Sequence, residues 1–524
     1  MNLLSSKTHH KIYILALALL AASLPFSLFS ISVAQFGLII NWFIEGLTER
    51  NFKKKFIDFF NNKPAVIFSL IFFLHIIGLI YTSDFNYAFK DIRIKIPLLL
   101  LPLVIATTKP LSKKEINFVI SAFIAAVTVA TFICTYYYFT HVINDIRETS
   151  RFISHIRFSL MICLVVVLVL YYLFKKGDVN SKLIKSAFPL LLIWLLTFLF
   201  LFESITGISI LAILLLFFLI KTIFSSAAPI YRIGSTIIIL ALFIFSYIYI
   251  AGAVKEYYHK NLIDFSKLET HTSQGNQYFH DTTSLETENG NLIWVYISKD
   301  ELAKEWAKRS TYNFNGNDDK NQYIQYTLIR YLASKGLRKD AEGIKHLSDA
   351  EIVAIEKGIT SVSFFEKMTL KKRIHQILGE YENYMIDGNA NGLSVMQKME
   401  FIKASLGIIK EHFIFGVGTG DVNIAFKQQY EKTHSLLKPE NRWRSHNQYL
   451  SFFVAFGVIG FIVFMFSLFY PPLKLGTFKD YRYLAFFIII IISMLTEDTI
   501  ETQVGVTFYA FFSALFLFGT YNEK

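Results

Sequence analysis

Cysteine is nearly absent from this 524-residue chain: there are two, Cys134 and Cys163, and both lie inside apolar stretches. A disulfide scaffold is thereby excluded. Charge is scarce as well, at 18% of residues, where a soluble chain carries about 25%. No internal repeat and no low-complexity stretch is evident. His9 and His10 sit before the first apolar run, and His259, His271 and His280 are scattered through a polar stretch without ligand spacing, so no metal site is expected. What the chain has in abundance is apolar surface: 53% of residues are hydrophobic and 16% aromatic. These residues fall into uninterrupted blocks long enough to cross a bilayer as helices, which leaves an all-α polytopic membrane protein as the class that fits. The net charge of +12 then reports membrane topology first and gives no reason to expect a nucleic-acid partner.

Twelve candidate spans are read at 12–29, 31–48, 65–82, 92–108, 116–140, 155–174, 186–203, 205–223, 233–253, 446–470, 482–497 and 503–521. The first run is too long for a cleaved signal peptide and lacks a small-residue cleavage site. The connections 49–64, 109–115, 175–185, 221–232 and 471–482 hold 17 Lys or Arg against 5 Asp or Glu, and the short connections on the other side, even with the helix starts at Arg93, Lys95 and Arg157 included, hold only six Lys or Arg. The positive-inside rule therefore places both termini in the cytoplasm. Residues 1–253 form the first nine spans, 254–445 an outward-facing domain too long for an ordinary loop, and 446–524 the last three spans.

The outward domain reads as mainly helical. Asn291–Ser298 is its one expected strand. A helix over Asn321–Lys335 stops at Gly336, and Ser348 with Glu351 forms a capping box for the next. Ser394 with Gln397 opens another, in which Met399, Ile402, Leu406, Ile409 and Phe413 share one stripe. Such a helix either lies on the bilayer surface, apolar face down, or packs on its own domain.

Gly416-Val417-Gly418-Thr419-Gly420-Asp421 lacks the Lys-Ser/Thr of a phosphate loop and the strand–turn–helix setting of a dinucleotide site. It reads as a turn ending the preceding helix, with glycine supplying positive φ. More informative is Asn441 to Leu450 (NRWRSHNQYL), running into Gly457 and Gly460. Ser445 with Gln448 suggests a third capping box, with Ser445 the N-cap of the tenth span and His446 its first residue. The positive end of the helix disfavours imidazolium, leaving His446 able to accept a proton, and with Arg442 and Arg444 it would hold a phosphate. A base and an anion clamp at a membrane surface suit attack by an acceptor hydroxyl on a sugar whose leaving group is a lipid-linked diphosphate. The alternatives are an interfacial histidine bonded to its own helix end and surface-snorkelling arginines. Other ionisable residues gather near span ends: Arg151, His155 and Arg157, then Glu203, then Glu497, Asp498 and Glu501. A structural pairing with an arginine is expected for Glu497 and Glu501, and a packing role for His75.

The His-Asn-x-x-Leu motif at His446, followed by Gly-x-x-Gly in a membrane helix after a large outward loop, resembles the O-antigen ligase / O-antigen polymerase family. Residues 394–421 resemble that family's loop helix and its Gly-x-Gly turn. The resemblance implies a GT-C-like glycosyltransferase in the bacterial inner membrane. It would move a glycan from undecaprenyl diphosphate to an acceptor at the periplasmic face, without metal or cofactor, the ligase acceptor being lipid A–core. The family's histidine maps to His446, with Asn447 beside it, as the base that activates the acceptor hydroxyl. Its diphosphate-binding cations map to Arg157 and, with loss of the bidentate fork, to Lys398. Arg151 would support them. A further family arginine near the eighth span is replaced by Glu203-Ser204-Ile205-Thr206-Gly207, so Arg442, Arg444 or Arg373 would have to substitute. A polysaccharide polymerase and a protein O-oligosaccharyltransferase are the neighbouring readings, and a lipid-linked sugar transporter or flippase is the non-enzymatic rival.

Overall fold

In lipid every backbone polar group must be satisfied within the protein, so long apolar runs fold as helices. The computed structural model describes residues 5–520 apart from 142, 144, 145, 175–181, 260, 262 and 363–368, so most of the basic connection 175–185 lies outside the described residues. The helices are α1 (Ser6–Ser23), α2 (Leu28–Thr48), α3 (Phe52–Asn61), α4 (Lys63–Ile77), α5 (Phe85–Lys95), α6 (Pro97–Thr107) and α7 (Lys113–Thr140). There follow α8 (His155–Phe174), α9 (Lys182–Leu201), α10 (Ile205–Ile223), α11 (Pro229–Tyr257), α12 (Lys299–Arg309), α13 (Ile324–Ser334) and α14 (Ala341–Lys345). The last are α15 (Asp349–Glu356), α16 (Leu370–Asp387), α17 (Ser394–Glu411), α18 (Val422–Lys432), α19 (Gln448–Leu475), α20 (Tyr481–Thr496) and α21 (Gln503–Phe518).

The protein is an all-α polytopic membrane protein. Each expected span coincides with helix, and among the described residues 7 helices are long and apolar enough to cross a bilayer. Ser186–Leu201, Tyr481–Thr496 and Gln503–Phe518 are shorter apolar helices. The expected span 92–108 is divided, because Pro97 cannot continue α5 and instead starts α6.

The chain divides into two compact units, one of residues 228–388 and one of residues 1–227 with 389–524. In the unit of residues 228–388, Leu302, Trp306, Ile324, Leu328, Tyr331 and Ile355 form a fully buried core. The expected helix 321–335 is α13, ended by Gly336 at φ 68°. The Ser348–Glu351 capping box is complete. The expected strand 291–298 contracts to β2 (Asn291–Leu292), paired with β1 (Thr287–Glu288), because Tyr296 adopts φ 57° and cannot extend a strand.

In the other unit α21 is buried along nearly its whole length, packed on α6, while α19 packs on α4 and α20 on α8. α19 is broken at Gly457, where φ is 61° and ψ −166°. The break separates the amides of Val458 and Ile459 from the carbonyls of Val454 and Ala455, their partners in an unbroken helix. The turn after α17 replaces all four partners. Val458 and Ile459 donate to the carbonyls of Phe413 (2.8 Å) and Ile414 (3.4 Å), while Val417 and Gly418 donate to Val454 (3.0 Å) and Ala455 (2.8 Å). Only glycine permits so close an approach: a Cβ on Gly457 would lie 2.3 Å from Ile414 backbone, and one on Gly416 2.4 Å from Ala455 and Phe456 backbone.

The expected cap of α17 shifts by one residue. Leu393 holds the extended N-cap position without a side-chain bond, and Ser394 is the first helical residue. The expected apolar stripe is mostly exposed (Met399, Ile402, Leu406, Phe413), apart from the buried Ile409, while Met396, Phe401, Ala404, Ser405 and Ile408 face the protein.

Gly457→Ala should destabilise the protein by about 2 kcal/mol or more, since it adds backbone strain to a steric clash. A melting temperature in detergent several degrees below wild type is the expected result. Gly37→Ala, where a Cβ meets nothing within 4 Å, should leave it unchanged.

Candidate active site

Asn447 caps α19, its side chain accepting from the amide of Leu450 (3.1 Å) and donating to the carbonyl of Leu495 (2.9 Å). The expected Ser445–Gln448 capping box does not form. Asparagine is a strong N-cap, and its use moves the helix start two residues along. Ser445 instead bonds Ser451 Oγ (2.6 Å), and Gln448 bonds Glu501 (2.8 Å) and the amide of Ile500 (2.8 Å). His446 is therefore outside the helix, in the left-handed region at φ 46°, which a bulky residue adopts only when its surroundings impose it. Its side chain is 35% exposed, with Nδ1 3.9 Å from Glu497 Oε2. The ring also lies 5.5 Å from that of Phe401 on α17. A carboxylate, and not the first turn of a helix, thus faces the histidine.

The turn between α20 and α21 carries Glu497, Asp498 and Glu501. Asp498 accepts from Ser451 Oγ (2.6 Å). Burial, and then the neighbouring Glu501 charge, push its carboxyl above the ordinary value, against the pull of Ser451, His446 and Arg444. Arg444 donates from Nε to Asn423 Oδ1 (2.7 Å) and from one Nη to the Tyr87 hydroxyl oxygen, with the other Nη 3.8 Å from Glu501. Arg157, at the start of α8, feels the charges of Glu497 and Asp498. Among the described residues its buried Nε has no hydrogen-bond partner. Lys398 is exposed on α17, three residues before Phe401 and so on the same side of the helix. Arg442 is turned to the carbonyls of Leu437 (2.9 Å) and Ser435 (3.3 Å), holding its own loop. Arg151 is exposed and stacks on Tyr137, 4.6 Å from the ring centre. His446, Arg444 and Arg157 thus share one acidic turn, with Lys398 one helical turn from the histidine's aromatic neighbour. Arg442 and Arg151 are engaged with other groups.

A buried ionic cluster supports this turn. Lys95, fully buried, donates to Glu501 Oε2 (2.7 Å) and the carbonyl of Ile500 (2.5 Å), with Asp91 Oδ1 at 3.6 Å. His75 Nδ1 lies 2.9 Å from Asp91 Oδ2. His75 is the buried packing residue expected, its ring edge-on to Phe452 and Phe456, and its polar partner is the Asp91 carboxylate. Glu501 pairs with an arginine as expected, Arg444 at 3.8 Å, although Lys95 lies closer at 2.7 Å, and Glu497 faces a histidine where an arginine was expected. Sequence reasoning missed Asp91 and Lys95. Their signal was an acid and a base one helical turn apart at the edge of an apolar block.

The glycine-rich segment joins the same assembly. Gly416 and Gly418 take φ 70° and 92°, as expected of a turn. Beyond that, Thr419 Oγ1 donates to the carbonyl of His75 (2.7 Å) and the Gly420 amide to Thr82 Oγ1 (2.8 Å). The Asp421 carboxylate accepts from the amides of Ser83 (2.8 Å) and Asp84 (2.8 Å) and from the Ser83 hydroxyl (3.0 Å). The Asp421 side chain thus uses the donors ahead of α5.

Residues 353–465 match the family described as O-antigen ligase. Those 113 of the chain's 524 residues are similar to the O-antigen ligase family. It covers α17, α18 and the first part of α19, including the break at Gly457 and the whole approach to His446. No curated protein matches the chain. The O-antigen ligase family is enzymatic, of the ligase/polymerase type, and implies a lipid-linked glycan donor and a glycan acceptor.

Burial acts to raise the Asp421 carboxyl, but the amides of Asp84 and Ser83 outweigh it and hold the group below its ordinary value of 3.8. A depressed folded value contributes stability above the unfolded pKa and loses it as pH falls through the folded one. Wild type should therefore melt above Asp421→Asn at neutral pH, and thermal unfolding scans should show the gap closing below about pH 4.

Proposed function

We propose that this chain transfers a glycan from a polyprenyl-diphosphate donor to an acceptor hydroxyl on the periplasmic side of the bacterial inner membrane, as an O-antigen ligase acting on lipid A–core. One observation carries the reading: a partly exposed histidine, held in a left-handed conformation beside Glu497, shares its acidic turn with the guanidinium groups of Arg157 and Arg444. His446 removes the proton as the acceptor oxygen attacks the anomeric carbon. Glu497, facing Nδ1, orients the ring so that Nε2 points to the acceptor, as a carboxylate partner does for a catalytic imidazole. The bond from the anomeric carbon to the diphosphate oxygen breaks, and Arg157, Arg444 and Lys398 stabilise the departing charge. Arg157 is the principal cation here, because Arg444 is already bonded to Asn423 and Tyr87. Asn447 fixes the start of α19 and hence the position of His446, whereas Arg442 and Arg151 support loops at one remove from the chemistry. No step needs a metal or a cofactor.

His446→Ala should lower transfer by about two to four orders of magnitude, the range of general-base catalysis, while insertion in the membrane and melting temperature stay near wild type. Near-normal transfer by that variant would remove the base assignment. Arg157→Ala should weaken donor use, seen as a raised KM for the lipid-linked glycan or a lowered kcat in steady-state kinetics, and Arg157→Lys should restore part of it. Transfer should persist in EDTA, and strict divalent-metal dependence would overturn the mechanism. In a deletion strain, bare lipid A–core with accumulated lipid-linked polymer identifies a ligase, and a core carrying a single repeat unit identifies a polymerase.

A further inference from the structure

α17 carries two apolar faces. One is buried against the protein through Met396, Phe401, Ala404 and Ile408. The other presents Met399 (39% exposed), Ile402 (40%) and Leu406 (53%), and continues into Phe413 (52%), Ile414 (54%) and Phe415 (62%). Six large apolar side chains in one patch are more than a surface in water tolerates without a partner. The exposed lysines Lys398, Lys403 and Lys410 accompany the patch, as cations border the apolar face of a helix at a membrane interface.

The occupant of this face follows from where its tip is attached. Phe413 and Ile414 accept from the amides of Val458 and Ile459, and these amides lie inside a 28-residue helix apolar enough to cross a bilayer. At about 1.5 Å per residue the break lies roughly 15 Å along α19 from its first residue, about half the thickness of the hydrocarbon layer. A turn bonded at that depth cannot stay at the water interface. The amides of Val417 and Gly418 are satisfied at the same depth by the carbonyls of Val454 and Ala455, so the non-helical backbone meets the requirement that membrane-embedded irregular segments be bonded within the protein.

We infer that α17 and the Phe413–Phe415 turn form a re-entrant element, inserted into the bilayer from the His446 end of α19, whose second apolar face contacts lipid acyl chains. The element then descends from the interface at Lys398 towards the middle of the bilayer at Phe415, passing His446 at Phe401. The placement goes beyond the proposed reaction and holds whatever chemistry His446 performs.

Single cysteines at Ile402, Leu406 and Phe415 in the full-length chain, labelled with an environment-sensitive fluorophore in lipid nanodiscs, test the insertion. The two native cysteines are buried, at 1% and 0% exposure, and leave little background. Asp349→Cys, at a side chain 98% exposed, is the reference in water. Nitroxide on the lipid acyl chain should quench the probes at Leu406→Cys and Phe415→Cys several-fold more than aqueous iodide does, with the order reversed at Asp349→Cys. Ile402→Cys and Leu406→Cys replace exposed side chains, so they report even if Phe415→Cys disturbs the turn. Strong iodide quenching along the stripe would overturn the insertion. Quenching by neither agent would overturn it too, since it would mean that protein, such as a second copy of the chain, covers the face.

Discussion

A membrane helix broken in mid-span must find new partners for its backbone, and here one short turn supplies them all. Phe413 to Gly418 takes up the two carbonyls and two amides released at Gly457, and much of the site is built outward from that exchange. It sets the end of α17, hence the place of Phe401 against His446. It continues into Thr419 and Asp421, which tie the end of α4 and the start of α5 to the same turn. α5 in turn carries Tyr87, which holds Arg444, and Lys95, which holds Glu501. A defect in one helix is thus the point from which a base, a cation and an acidic turn are positioned together.

The acidic turn between α20 and α21 has a second support in buried charge. Lys95, Asp91 and Glu501 are held out of water, and such groups are tolerated because each satisfies the others. Removing any one would strand the remaining charges at a cost of several kcal/mol, typically about 3–5. The arrangement favours geometric definition over stability. Glu497 and Asp498, which face His446 and Ser451, are fixed because Glu501 in the same turn is gripped by Lys95, Gln448 and Arg444. The resulting site has a defined acidic side towards the histidine, while the buried Nε of Arg157 remains without a hydrogen-bond partner among the described residues.

The architecture was legible in the sequence where one physical rule acted locally. Apolar run length located the helices, and the Ser348–Glu351 box and Gly336 marked helix ends in the unit of residues 228–388. The approach to His446 was legible as a place but not as a conformation. Ser445 and Asn447 both have side chains able to cap α19, and the neighbours chose: Ser451 engages Ser445, and the carbonyl of Leu495 receives the Asn447 amide. His446 consequently lost the helix-end field and gained a carboxylate partner. His75 shows the same limit, since its partner Asp91 lies on another helix and no spacing along the chain announces it.

Composition and periodicity alone determined that this is a polytopic helical membrane protein, because burying apolar runs in lipid leaves the backbone few alternatives to the helix. The residues from 394 to 460 carried the family likeness, through His-Asn-x-x-Leu at His446, the Gly-x-x-Gly that follows it and the Gly-x-Gly turn that precedes it. Only the tertiary structure decided which face of α17 meets protein, which charges share the turn of Glu497, and why Gly416 and Gly457 are needed. Those are contacts between segments distant in sequence, and their energies depend on approach distances of a few ångströms that the order of residues does not encode locally.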